Sequence, residues 1–116
     1  MHRAVLDLVG LSARAGALVT GTDAVRGAVR EGAVVQVILA TDAADGQRRK
    51  LVPLLESRRI PYHTIFTRDE LGAASGRAPL SAVAVSNRKL GERITELLNG
   101  LGDGGGSSSA SLAPES

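Results

Sequence analysis

Gly21-Thr22-Asp23-Ala24-Val25-Arg26-Gly27-Ala28-Val29-Arg30-Glu31-Gly32 runs directly into Ala33-Val34-Val35-Gln36-Val37-Ile38-Leu39-Ala40, and this junction decides the fold. A flexible glycine and a Thr22/Asp23 pair suited to helix capping open a basic helix, which closes at Gly32. The nearly unbroken apolar, largely β-branched run that follows is the signature of a strand buried on both faces. A helix start also leaves backbone N–H groups unpaired at the positive end of the helix dipole, a setting that can hold phosphate.

Working outward, the same alternation recurs on both sides. Ala4, Val5, Leu8, Val9 and Leu11 fall at helical spacing up to about Ala15, with Gly16 as a stop and Leu18-Val19 as a short extended piece. Asp45-Gly46 opens a helix carrying Leu51, Leu54 and Leu55; Pro53 falls inside it and costs a helical bond unless the helix starts late or bends. Tyr62 to Phe66 reads as a strand, Arg68 to Ala74 as a helix capped by Thr67 or Asp69, and Leu80 to Val85 as a strand. Asn87 caps a last helix carrying Leu90, Ile94, Leu97 and Leu98. Strands alternating with helices imply an α/β/α sandwich around a small parallel or mixed sheet. Residues 1–99 form this domain, and the Gly/Ser-rich stretch 100–116 reads as a disordered tail, too poor in apolar surface to offset its ordering entropy.

Composition narrows the function classes. The chain has 116 residues, enough for one core. Tyr62 and Phe66 are its only Tyr, Phe or Trp residues, so stacking of splayed single-stranded bases cannot be the main binding mode. Cysteine is absent, which removes disulfides and thiolate metal sites and fits a reducing compartment. No run reaches the ~18 apolar residues of a membrane span, and Asp7 interrupts what would be a leader's apolar core, so a soluble, cytoplasmic, monomeric protein without membrane contact is expected. Residues 1–100 hold 14 Lys/Arg against 10 Asp/Glu, a net of +4, and 12 of the 14 are arginine. Arginine suits bidentate contact with phosphate and guanine, although arginine- and alanine-rich usage also follows from a GC-rich genome.

Catalysis leaves no constellation. His2 stands at a terminus expected to be mobile, and His63 on a strand reads as a surface or packed residue. Asp42 and Asp45 are explained by helix capping, no serine sits in a Gly-x-Ser-x-Gly elbow, and neither a phosphate-binding Gly-x-x-x-x-Gly-Lys-Ser/Thr loop nor a dinucleotide fingerprint is present. The expectation is a protein without enzymatic activity, cofactor or metal. Nucleic-acid binding has better candidates: the helix start at Thr22 with Arg26 and Arg30 four apart on one face, and the glycine-marked loop around Gly76 and Arg77. Arg48-Arg49-Lys50 with Arg58-Arg59 reads as a solvated outer face.

Residues 4–99 resemble the kink-turn-binding ribosomal-protein family, most closely its bacterial YlxQ-like branch. The matching pieces are Leu11 to Gly21, Val37 to Ala43, Leu71-Gly72 through Gly76, and Ser81 to Val85, in that order. The resemblance implies a three-layer fold and binding to RNA kink-turns, bent elements built on sheared G·A pairs, in ribosomal or other structured RNA associated with the ribosome. It assigns Gly21, Thr22 and Asp23 to the approach to the RNA, and the loop Gly76, Arg77, Ala78, Pro79 and Leu80 to its other side. Arg26 and Arg30 would supply charge. The chain departs from the family where Gly27 replaces a usual lysine and Ala24 a usual polar residue. One lost charge-assisted base contact costs roughly 1–3 kcal/mol. The alternative reading is therefore a protein-interaction module that keeps the fold without specific RNA recognition.

Overall fold

Two central strands organise the molecule, because every residue in each is buried: β2 (Gln36–Leu39) and β4 (Ala82–Val85). The pleat sends Val37 and Leu39 to one face and Ile38 and Ala40 to the other, with Ala82 and Ala84 opposed to Val83 and Val85 in the same way. The short edge strands β1 (Leu18–Thr20) and β3 (Tyr62–Thr64) complete the order β1-β4-β2-β3. β4 runs antiparallel to both β1 and β2, pairing Val19↔Ala84 and Val37↔Ala84, whereas β2 and β3 are parallel, with Val37↔Tyr62. The sheet is therefore mixed.

Helices cover both faces. α1 (Arg3–Arg14), α4 (Arg68–Ser75) and α5 (Arg88–Leu101) bring Val5, Val9, Leu71, Ile94 and Leu98 onto Ile38, Val83 and Val85. α2 (Thr22–Arg30) and α3 (Asp45–Ser57) bring Val25, Val29, Leu51 and Leu55 onto Val37, Leu39 and Ala84. This is the expected three-layer α/β/α sandwich. Its core is mostly aliphatic, with Phe66 buried on one face of the sheet and Tyr62 on the other. The computed structural model describes residues 2–101. α5 continues through Gly100 to Leu101, two residues past the expected domain end, and the rest of the expected tail lies outside the described residues.

Several local expectations are corrected. Neither Thr22 nor Asp23 caps α2: Gly21 is its N-cap and no side chain bonds there. Asp42 does cap a helix, but a distant one, since its Oδ1 accepts from the Arg68 N–H of α4 at 2.8 Å. Asp45 is the first residue of α3, whose N-cap is Ala44. α4 itself begins with a reciprocal Thr67/Glu70 capping box. α3 runs on through Pro53, which is exposed, so the missing donor lies on the outer side of the helix. β3 stops at Thr64 because Phe66 adopts φ +70, which carries its ring into the core while its carbonyl accepts from the Thr41 N–H. His2 is placed, with its ring edge-on to Phe66 at 6.0 Å.

Candidate nucleic-acid interface

At one end of the sheet, β1 and β2 finish and β4 begins. Gly21 makes the turn from β1 into α2 with φ +95 and ψ 148, backbone that is essentially reserved for glycine. Its N–H donates to the Ala82 carbonyl at 2.9 Å, and its own carbonyl accepts from Val25 to start the helix. The next three N–H groups, those of Thr22, Asp23 and Ala24, precede the helical ladder and point outward from its start. Thr22 is 7% exposed, and its Oγ1 is buried without a partner among the described residues.

The loop after α4 arrives at the same place. Gly76 ends the helix in the left-handed region (φ +71), and Arg77 donates its N–H to the Gly72 carbonyl at 2.8 Å. Leu80 then donates to the Arg68 carbonyl, and the Ser81 carbonyl accepts from Ala40 at the end of β2. Gly72 makes this path possible. A Cβ there would stand 2.7 Å from the Ala78 carbonyl carbon and 2.9 Å from the Arg77 oxygen, so the loop lies directly on the helix backbone. In the sequence, the only mark of this role is a glycine inside a helix, four residues before a second glycine.

Gly21, Thr22 and Asp23 therefore share one end of the molecule with the loop Gly76, Arg77, Ala78 and Pro79. Arg26 lies one turn further along α2, half-buried, with its Nε unpartnered among the described residues. Arg30 lies at the far end of α2, about 12 Å from Thr22 by helical rise, and its carbonyl accepts from Arg58 Nη1 at 3.2 Å. Ala24 and Gly27 are exposed and offer no polar side chain. Asp23 is not isolated, since its Oδ1 stands 3.7 Å from Lys50 Nζ of α3.

His63 is packed into the fold rather than exposed on the surface. It is 7% exposed, its Nδ1 is unpartnered among the described residues, and burial lowers its pKa from the ordinary 6.5. At the opposite end of the sheet a groove of about 680 Å³ is lined by Val29, Val34, Val35, Arg58, Ile60 and Pro61, among others. No described helix is long and apolar enough to cross a membrane.

Comparison with known proteins bears on the family and the fold. The family model described as the ribosomal protein L7Ae/L30e/S12e/Gadd45 family matches residues 3–93. The RNA-binding protein YlxQ of Bacillus subtilis is 28% identical over 92 residues, which cover 79% of this chain and 92% of YlxQ. A solved structure of a protein of unknown function from Bacillus halodurans superposes with a TM-score of 0.78 at 34% identity, covering 82% of this chain and 96% of that one. The Giardia lamblia 15.5kD RNA binding protein superposes with a TM-score of 0.70 at 26% identity, covering 82% of each chain.

Proposed function

The chain belongs to the ribosomal protein L7Ae/L30e/S12e/Gadd45 family, and from that premise we propose that it is a cytoplasmic, non-catalytic RNA-binding protein recognising a kink-turn or a similar structured RNA, in association with the ribosome. The observation that carries the reading is the Gly21 junction. One hydrogen bond, Gly21 N–H to Ala82 carbonyl, ties the open start of α2 to the strand that the Gly76–Pro79 loop enters, so two approach surfaces are held as one unit. The N–H groups of Thr22, Asp23 and Ala24 meet the backbone, the Asp23 carboxylate accepts from a base amino group, Arg26 contributes charge, and Arg77 approaches from the second side. Arg30, at the other end of the helix, adds only long-range attraction. The YlxQ and 15.5kD relatives, both named as RNA-binding, support the same reading.

The test is a titration of a kink-turn RNA and a straight duplex of equal length at one salt concentration. Tighter binding to the kink-turn is expected. Equal affinity sinks the specific claim, because phosphate attraction alone is blind to shape. The interaction-module reading draws on Ala24 and Gly27, which present no polar group to RNA. It prevails if Arg26→Ala and Arg77→Ala each leave RNA affinity unchanged while a protein partner still co-purifies.

A further inference from the structure

We propose that Lys50, on α3, is a working cation of the RNA surface, set in place by Asp23, so that the surface is built from two helices rather than from α2 and the loop alone. This rests on the RNA-binding reading above.

The sequence run Arg48-Arg49-Lys50 looks like one patch, but the helix divides it. Successive residues turn by about 100°. Arg48 Nη1 reaches back to Thr64 Oγ1 of β3 at 3.4 Å, and Arg49 is exposed. Only Lys50 turns toward α2, where its Nζ lies 3.7 Å from Asp23 Oδ1.

The pair does little for stability. The side chains are 48% and 86% exposed, and ion pairs this exposed contribute little. The two helices are already held together by Val25, Val29, Leu51 and Leu55. Its position is what distinguishes it. Asp23 is the second residue of α2, beside the unpaired N–H groups, where a bare carboxylate would repel phosphate. The ammonium offsets part of that repulsion, and at 3.7 Å from Asp23 its N–H donors remain available to a ligand. The adjacent positions Ala24 and Gly27 carry no charge, so the nearest positions on α2 do not supply the cation that Lys50 does. Side by side, the carboxylate accepts from a base amino group while the ammonium donates to a phosphate, joining base readout to backbone positioning.

The experiment measures kink-turn and straight-duplex affinity across a salt series for the full-length protein and for Lys50→Met, Lys50→Arg and Arg49→Met. Methionine keeps the stem and removes the charge, and thermal melting confirms that each variant folds. Lys50→Met is expected to weaken kink-turn binding about tenfold and to make the slope of log K against log salt shallower by about one. Lys50→Arg should stay within about threefold of the parent, and Arg49→Met within about twofold. Equal losses from Lys50→Met and Arg49→Met, or no loss from Lys50→Met, overturn the proposal while leaving kink-turn preference of the parent intact. A parent that does not prefer the kink-turn defeats the underlying reading instead.

Discussion

The two ends of α2 are finished in opposite ways. Its start is built from backbone: Gly21 in a conformation other residues avoid, no side-chain cap, and N–H groups turned outward. Its end is closed by a side chain, since Arg58 Nη1 reaches the carbonyls of Val29 at 3.4 Å and Arg30 at 3.2 Å. A cation on the last carbonyls of a helix satisfies acceptors and opposes the negative end of the dipole. The donors at the other end, left open, are what an anionic ligand requires. Ordinary helix physics thus separates an end committed to stability from an end available for binding.

The contrast can be broken from either side. The largest effect is expected at Gly72, where valine would drive its Cβ into the Ala78 carbonyl. Gly72→Val should lower stability by about 3 kcal/mol in denaturant titration and abolish the second approach surface. An unchanged midpoint would mean that the loop does not depend on its seat on α4. Next is Gly21→Ala, expected to lose about 2 kcal/mol through backbone strain and to weaken RNA binding as well. Retained affinity would separate the helix start from binding.

A smaller effect falls on the closed end. Arg58→Met should cost about 1 kcal/mol while leaving RNA affinity unchanged. A matching fall in affinity would erase the distinction between the two ends. The smallest effect involves His63, whose burial lowers its pKa from 6.5 and so favours its neutral form in the fold. The unfolded chain takes up that proton first as pH falls, so this residue costs stability below about pH 6.5 and has no effect above it. Melting curves at about pH 7.5 and about pH 5.5 should show a smaller acid loss for His63→Gln than for the parent. Equal losses would assign the acid sensitivity elsewhere.

Much of this was legible in the chain. The run from Val34 to Ala40 announced a strand buried on both faces, and Gly21 and Gly76 marked the turns at which the candidate site residues gather. The site's supporting contacts were not legible, because they join residues far apart in sequence. Asp42 could be read as a cap but not as the cap of α4, 26 residues away. Thr22 and Asp23 carried capping chemistry, yet Gly21 took the cap, leaving one side chain buried and the other paired with Lys50. Arg48, Arg49 and Lys50 were one cluster as text and are three directions in space. Local pattern reports which face is buried; it does not report which neighbour each exposed group meets.

β4 sits between β1 and β2, and among the described strands it is the only one that touches β1. Its residues are 82–85 of 116, so during synthesis the first strand waits for most of the chain before it has anything to pair with. The bond from Gly21 to Ala82 waits with it. A nascent or truncated chain that stops before β4 lacks α5 as well as the junction, and its unpaired strand edges are exposed to association. The candidate binding surface is thus completed only once β4 has joined the sheet, which makes the appearance of RNA affinity a report on that long-range pairing.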